Sequence, residues 1–312
     1  MRPFFVIAAT AASCLGATGV MACEASLRFF ETTPAEVISD CITVEFLDKR
    51  SEDQSSMLHL AGAGGTDAIV VDAMHGTLPS EAWETFIARQ TNANETALHV
   101  AAAHADARFV TRLLSYGADA NAVIDYESNR LNPLRETRGT TALHLAVERS
   151  NAFGIVTALL AGGTDQTWRK RDGGETAMYL AAGNANDIDV LSALLSEGRG
   201  AQAINLPNDK ENTPLMVALA RDRPFEVVRF LLAMGADADI PNADNITPLH
   251  FAASYVTDPA VVMAVMDATE DPCVADDKGR TPGQLLDLRT SPLNSDRTLA
   301  RRFHETCVEA TQ

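Results

Sequence analysis

The chain has 312 residues, of which 46% are hydrophobic and 6% aromatic, so it has enough apolar material to bury a core. Its 42 acidic residues against 25 lysines and arginines give a net charge of -17 at pH 7. Such a charge repels phosphate backbones and argues against nucleic acid as a partner. We interpret it as a solvated surface that keeps the protein soluble; a docking surface for a basic partner is the alternative.

The amino terminus has the features of an export signal. Arg2 precedes an apolar stretch at residues 4–9, and small residues then lead to Ala22, where a signal peptidase would cut. We interpret residues 1–22 as a signal peptide and expect the mature chain in a bacterial periplasm or secreted. A buried helix or a membrane anchor is the competing interpretation. No later segment approaches roughly 18 consecutive apolar residues, so we expect no membrane span.

A helix start led by serine or threonine recurs along the rest of the chain, at intervals of 34 to 45 residues. Serine and threonine cap helices well, and proline or alanine after them suits the first turn. We therefore predict a first helix near residues 56, 96, 141, 176, 213, 247 and 281. Clear examples are Ser56-Met57-Leu58-His59, Thr96-Ala97-Leu98-His99 and Thr141-Ala142-Leu143-His144.

A second pattern recurs once in each unit, at the same intervals as the first. Apolar residues at i, i+1, i+4 and i+5, such as Phe109, Val110, Leu113 and Leu114, make one face of a second helix apolar. A glycine then follows, where a left-handed residue ends a helix at little steric cost, and an extended finger leads to the next unit. These glycines are Gly117, Gly163, Gly198 and Gly235. One unit cannot bury its apolar face alone, so neighbouring units must stack.

These patterns resemble the ankyrin repeat family from about residue 27 to 290, with a strong match at Thr247-Pro248-Leu249-His250. The resemblance implies an all-α ankyrin-repeat solenoid of stacked helix-turn-helix units with short β-hairpin-like fingers. Tyr179 and Met216 depart from the family by replacing the usual histidine, and insertions occupy about 76–92 and 122–138. The expected parts are a capping half-repeat at 23–55, six repeats over 56–280, and a capping repeat with a closing helix at 281–312.

Four cysteines remain after removal of the signal, two near each end of the array. Residues 34–42 have the second-helix pattern, and Cys23 lies where the first helix of the capping half-repeat should begin, beside Cys41. At the other end, a closing helix directs Cys307 toward the finger that carries Cys273. Four buried free thiols are the alternative to pairing. We predict two disulfides, Cys23 with Cys41 and Cys273 with Cys307.

The sequence lacks a recognisable catalytic or metal-binding constellation. His59, His99, His144 and His250 occupy the same turn of their units, where a ring can hydrogen-bond the backbone of its own and of the next repeat. The glycine-rich stretch 62–66 lacks the lysine and the preceding strand of a phosphate-binding loop. We therefore expect a monomer that is not an enzyme and that holds no cofactor and no metal.

The expected function is recognition of another protein, because the resemblance implies a groove lined by fingers and first helices. One finger, Trp168-Arg169-Lys170-Arg171, adds an aromatic ring and three cations to an acidic molecule and suits an acidic partner. A solvated finger with Trp168 folded onto its neighbour is the alternative. The insertion after residue 121 could enlarge the same patch. The predicted partner-binding residues are Tyr126, Arg130, Arg135, Trp168, Arg169, Lys170 and Arg171.

Two other functions stay open. An enzyme with its site in the insertions at 76–92 and 122–138 would have a deep pocket with converging titratable groups. An envelope-anchored lipoprotein would carry lipid on Cys23 or on Cys14, although Met21 and Ala11 fit such a site poorly. Acylation of Cys23 would also prevent its predicted pairing.

Overall fold

The computed structural model describes residues 26–125, 139–171, 173–185, 188–196, 199–287, 293 and 296–309. Its contacts group the chain into two units, one ending at Asp119 and the other beginning at Ala120. The predicted signal peptide lies outside the described residues. Among the helices of the described ranges, none combines the length and the apolar character that a bilayer crossing requires.

Unit 1 consists of helices in two layers. First helices α1, α4 and α7 contact one another in sequence, and second helices α2, α5 and α8 do the same. α2 begins after Pro34 and ends at Cys41, as the sequence predicted. The helices are α1 Leu27–Thr32, α2 Ala35–Cys41, α3 Val44–Asp48, α4 Met57–Ala63, α5 Ile69–Thr77, α6 Ser80–Ile87, α7 Ala97–His104 and α8 Ala107–Ser115.

Unit 2 repeats the arrangement. Its first helices α9, α11, α14, α16 and α18 contact in order, and so do the second helices α10 with α12 and α15 with α17. A short antiparallel pair, β1 and β2, joins Val123 to Thr141 and Ile124 to Thr140. The elements are β1 Val123–Ile124, β2 Thr140–Thr141, α9 Ala142–Val147, α10 Phe153–Ala161, α11 Ala177–Asn184, α12 Asp189–Ser196, α13 Gly200–Ala203, α14 Pro214–Ala220, α15 Phe225–Ala233, α16 Pro248–Tyr255, α17 Pro259–Asp267, α18 Pro282–Leu286 and α19 Arg297–Glu309.

The second helices bury the predicted apolar face. In α15, Val227, Val228 and Leu231 are completely buried. In α5 the i, i+1, i+4, i+5 pattern predicts that Ile69, Val70, Ala73 and Met74 are buried, but Ile69 is 50% exposed while Val71 is buried. Ile69 is the first residue of its helix, so its side chain projects from the exposed end instead of the packed middle.

The insertion at 76–92 forms an additional helix in unit 1. α6 buries Trp83, whose indole N–H donates to the carbonyl oxygen of Tyr116 at 2.8 Å. His75 stacks on the Tyr116 ring with centroids 4.0 Å apart and meets the Trp83 ring edge-on at 4.9 Å. Aromatic contacts therefore anchor this insertion against the carboxyl end of α8.

Three of the four predicted histidines join a first helix to the following finger, as the sequence predicted. His99 makes the contact within its own repeat, where its Nδ1 accepts from the backbone N–H of Thr96 at 3.2 Å. The backbone N–H of Ser56 donates to Nδ1 of His59 at 3.2 Å, and Nε2 of that ring donates to the carbonyl oxygen of Glu95 at 2.9 Å. One buried side chain thus caps its own helix and holds the next repeat. The same contacts recur at His144 with Thr141 and Glu175, and at His250 with Thr247 and Arg280.

The first helices α11 and α14 lack this histidine and are capped differently. The hydroxyl oxygens of Thr176 and Thr213 accept from the backbone N–H groups of Tyr179 and Met216, at 3.1 and 3.4 Å. The Tyr179 hydroxyl still reaches the next finger, where it accepts from Nδ2 of Asn208 at 3.2 Å, and burial raises the pKa of this phenol. The departures from the family pattern therefore alter the contact and leave the helix cap in place.

Six fingers of the described ranges close with a hydrogen-bonded turn. The N–H of the first residue in the turn donates to the carbonyl oxygen of the last, at 2.9 to 3.1 Å. Among the described residues, β pairing is limited to β1 with β2 and to a bridge between Gln90 and Thr96. The expected β-hairpin-like fingers are therefore tight turns with little β pairing. The finger turns are residues 51–55, 91–95, 170–175, 208–212, 242–246 and 276–280.

A disulfide fastens the closing helix. Cys273 in the last finger is bonded to Cys307 in α19, with their Cα atoms 5.6 Å apart, as the sequence predicted. The same helix packs on α18 through buried Leu299 and Phe303. Cys41 is also disulfide-bonded, and its predicted partner Cys23 lies outside the described residues.

The buried ring of His59 should make stability depend on pH. Burial lowers the pKa of His59 to about 4, against an unfolded value of 6.5. The unfolded chain therefore binds the proton first, and stability is lost as the pH falls from 6.5 to about 4, by roughly 3 kcal/mol at most. In His59→Gln this loss should be absent, because glutamine does not titrate. Gln284 shows that glutamine can take this place, since its Oε1 accepts from the Thr281 N–H at 3.0 Å.

The measurement is urea unfolding of the parent and His59→Gln across that pH range. We expect the parent to be the more stable at neutral pH and the difference in free energy of unfolding to shrink as the pH falls. A difference that stays constant with pH would contradict the assignment.

Loss of the disulfide should loosen only the carboxyl end of unit 2. The bond closes a loop of 34 residues, and a crosslink of that length stabilises by roughly 3 to 4 kcal/mol. In the double variant Cys273→Ser with Cys307→Ser, hydrogen exchange should accelerate in α18 and α19 and stay unchanged in α9 and α10. Unchanged protection of α19 would show that Leu299 and Phe303 suffice to hold it.

Candidate functional site

The finger turns of unit 2 are built around buried polar side chains. Oδ1 of Asn208 accepts from the backbone N–H groups of Lys210 and Asn212, both at 3.0 Å. Asn242 and Asp276 make the corresponding contacts in the next two turns. Each lies five residues before a helix-capping threonine, a recurrence that our sequence analysis did not use. These side chains set the shape of the surface that a partner would meet.

Asp276 is the strongest of these anchors. Its side chain is only 1% exposed and its Oδ2 accepts from Nε and Nη2 of Arg280, at 2.9 and 2.6 Å. Burial by itself would raise the pKa of Asp276, but hydrogen bonds from Arg280 and from the Lys278 backbone outweigh burial and lower it to about 2. The last finger is therefore fixed by an ionised carboxylate at neutral pH.

Backbone hydrogen bonds join neighbouring finger turns of unit 2 into a row. The N–H of Asp209 donates to the carbonyl oxygen of Gly173 at 2.9 Å. Two further bonds continue the row, from Ala243 to Lys210 at 3.4 Å and from Asp277 to Asp244 at 3.2 Å. The positions of the finger tips are thus set before any partner arrives.

Trp168 leans on the neighbouring finger. Its indole N–H donates to the carbonyl oxygen of Gly139 at 3.0 Å, and 37% of the residue stays exposed. This arrangement corresponds to the alternative that we considered, a tryptophan folded onto its neighbour. The exposed part of the ring still offers apolar area to a partner.

The three cations of this finger are each paired with a carboxylate. Arg169 pairs with Asp209 at 3.1 Å, and its Nε donates to the carbonyl oxygen of Gly174 at 2.9 Å. The sequence predicted a basic finger suited to an acidic partner. The fold pairs two of its cations with acids of neighbouring fingers and the third with an acid of the same finger. Exposed ion pairs contribute only about 0 to 1 kcal/mol, so an acidic partner can compete for these cations. The other two pairs are Lys170 with Glu175 at 3.2 Å and Arg171 with Asp125 at 2.9 Å.

Three further predicted binding residues belong to the insertion at 122–138. Tyr126, Arg130 and Arg135 lie outside the described residues, and so does most of the insertion that carries them. The described residues that flank this insertion form the β1 and β2 pair, and Asp125 directly follows β1. Their role in binding stays a prediction.

A hollow of about 350 Å³ opens between α16 and α18, at a place that the sequence analysis did not single out. Phe251 and Tyr255 on α16 form one wall, with ring centroids 5.8 Å apart. Tyr255 is 53% exposed. The sequence does contain a signal for this hollow, namely two aromatic residues four positions apart on a first helix. The other first helices of the described residues have no such pair. The lining residues are Ile246, His250, Phe251, Ser254, Tyr255, Arg280 and Leu285.

A second hollow, of about 600 Å³, lies between α5 and α8 in unit 1. Asp72 and Arg112 in its wall form a salt bridge of 3.0 Å, and the Tyr116 hydroxyl donates to the same carboxylate at 2.8 Å. Residues 76–92, where an enzyme site was considered, do not line it. Among the described side chains, no group of three histidines, cysteines or carboxylates is arranged to hold a metal ion.

Comparison with known proteins agrees with the geometry. A family model described as "Ankyrin repeats (3 copies)" matches residues 58–167 and 143–242, which together make up more than half of the chain. The crystal structure of the human ASB11 ankyrin repeat domain is similar, with a TM-score of 0.58 and 21% sequence identity. The match covers 80% of this chain and 98% of that one. No curated protein sequence matches the chain.

The position of Trp168 should depend on Gly139. Gly139 has a φ of 77°, and a Cβ placed on it would lie 2.5 Å from the backbone nitrogen of Arg171. In a Trp83→Phe background, Gly139→Ala should push the finger away, shift the Trp168 emission to longer wavelength and increase its quenching by iodide.

The matched control is Gly163→Ala. Gly163 has a similar φ of 82°, but its added Cβ would have no neighbour within 4 Å. This variant carries the same kind of backbone strain and should leave the Trp168 emission unchanged. Identical Trp168 emission spectra for the two variants would show that Trp168 does not pack against Gly139.

Proposed function

Because this chain belongs to the ankyrin repeat family, we propose that it is a non-catalytic scaffold that binds another protein outside the cytosol. The binding surface in this proposal consists of the finger turns and the exposed sides of the first helices. Among the described residues, the finger row of unit 2 presents this surface most completely.

The observation that carries the proposal is the hydrogen-bonded row of finger turns. Its backbone bonds between Gly173 and Asp209, Lys210 and Ala243, and Asp244 and Asp277 hold the finger tips in fixed positions. A preformed surface loses less conformational entropy on association than a mobile one, so more of the contact energy appears as affinity. This is the physical advantage of a scaffold.

The histidines support a structural role in place of a catalytic one. Both ring nitrogens of His59 and of His250 are engaged with backbone groups. Burial lowers the pKa of each ring, which keeps it neutral near pH 7. A general base needs a free nitrogen within reach of a substrate, and these rings have both nitrogens occupied.

The extracytoplasmic location rests on the cysteines. Cys273 and Cys307 form a disulfide, and Cys41 is disulfide-bonded as well. Structural disulfides persist in oxidising compartments and are rare in the cytosol. Together with the signal-like residues 1–22, they support export to a bacterial periplasm or secretion. The intact mass of the mature chain separates this proposal from a lipoprotein, because acylation adds lipid mass at a cysteine.

Binding through the Trp168 finger can be tested by crosslinking in intact cells followed by mass spectrometry. In the double variant Trp168→Ala with Arg169→Ala, we expect recovery of the crosslinked partner to fall at least about tenfold, which corresponds to about 1.4 kcal/mol. The melting temperature should fall only slightly, since the lost hydrogen bonds lie at the surface.

Phe153→Ala is the matched control. Phe153 is 50% exposed on the second helix α10, away from the finger turns, so its removal should leave recovery of the partner unchanged. Equal recovery of the partner with the parent and with the double variant would show that the Trp168 finger does not contribute to binding. Failure to recover any partner with the parent chain would contradict the scaffold function itself.

A further inference from the structure

The hollow between α16 and α18 has the size and lining of a socket for one large side chain. Its volume of about 350 Å³ lies at the small end of the range that ligand pockets occupy, about 300 to 1,000 Å³. The walls combine the apolar groups of Phe251, Tyr255, Ile246 and Leu285 with polar groups of His250, Ser254 and Arg280. Such a space is small for a cofactor and suits a protruding aromatic or aliphatic residue.

Tyr255 distinguishes this hollow from the rest of the row. It lies five residues after His250, and the two preceding repeats have Asn184 and Arg221 at that place. Those two residues satisfy each other, since Nη1 of Arg221 donates to Oδ1 of Asn184 at 2.6 Å. Tyr255 instead leaves 53% of its surface exposed beside Phe251. Exposed tyrosines next to a socket are typical anchors of protein interfaces.

The two fingers around the hollow are acidic. Residues 239–246 and 270–280 contain six carboxylates against two cations. One of the cations, Arg280, is held by the buried carboxylate of Asp276. Asp244 and Asp277 lie exposed on adjacent finger tips, joined by the backbone bond of 3.2 Å. The excess of carboxylates in these two fingers attracts a cationic partner segment and repels an acidic one.

We propose that this hollow, which we call the Tyr255 socket, binds a protein segment in which a large apolar residue is flanked by lysine or arginine. The apolar residue enters between Phe251, Tyr255 and Leu285, and its basic neighbours lie against Asp244 and Asp277. The inference rests on the proposed scaffold function and names both the place of binding and the chemistry of the partner. Burial of the apolar side chain provides affinity, and the acidic fingers provide specificity for a basic segment.

A pair of short synthetic peptides tests the socket. One has a central tryptophan flanked by lysines, and the other has the same tryptophan flanked by glutamates. Each is titrated into the nitrogen-15-labelled mature chain, and amide shifts are followed by NMR. We expect the lysine peptide to bind at least about tenfold more tightly, which corresponds to about 1.4 kcal/mol, with shifts centred on α16 and α18.

Variants assign the effect to the socket. Tyr255→Ala should weaken the lysine peptide about tenfold, whereas Tyr255→Phe, which keeps the ring, should bind like the parent. Asp244→Asn combined with Asp277→Asn should remove most of the preference for lysine over glutamate. Met263→Ala is the control, because Met263 is 36% exposed on the second helix of the same repeat and does not line the socket.

Several outcomes would overturn the inference. Equal binding of the two peptides would exclude charge selection, and shifts away from α16 and α18 would exclude the socket. Binding unaffected by Tyr255→Ala would exclude the aromatic anchor. If the parent chain still captures its crosslinked partner but does not bind the lysine peptide, the socket is wrong and the scaffold function stands. If no partner is recovered with the parent chain, the scaffold function fails first.

Discussion

Three of the described repeats share one buried polar contact with the finger that follows. At His59, His144 and His250 a single imidazole caps its own first helix and donates to a carbonyl oxygen in the following finger. Both the imidazole and the carbonyl oxygen need a hydrogen-bond partner here, because a buried polar group without a hydrogen bond costs about 1 to 3 kcal/mol. At these three positions the contact therefore fixes both the start of the first helix and its distance from the following finger.

The finger row follows from that spacing. Once adjacent first helices are held in place, the turns before them come close enough for backbone hydrogen bonds, such as the one from Asp209 to Gly173. Buried side chains, including Asn208 and Asp276, then shape each turn from within. The surface offered to a partner is thus a consequence of the same packing that stabilises the core.

The net charge of the chain does not show that the fingers differ from one another in charge. The basic finger at residues 168–171 is largely neutralised by acids from other repeats, whereas the fingers around the Tyr255 socket retain an excess of carboxylates. The two places would therefore favour partners of different chemistry. Both keep an exposed aromatic residue, Trp168 in one and Tyr255 in the other.

The sequence alone determined the repeat pattern, the helix caps, the histidine contacts and the pairing of Cys273 with Cys307, because each depends on residues at regular spacing within one unit or its neighbour. Only the tertiary structure decided that Arg169 and Arg171 are paired with Asp209 and Asp125, which lie about 40 to 46 residues away along the chain. It also decided that α16 and α18 enclose a hollow. Both features depend on how side chains of different repeats meet across a stack, and periodicity within a sequence carries no record of those distances.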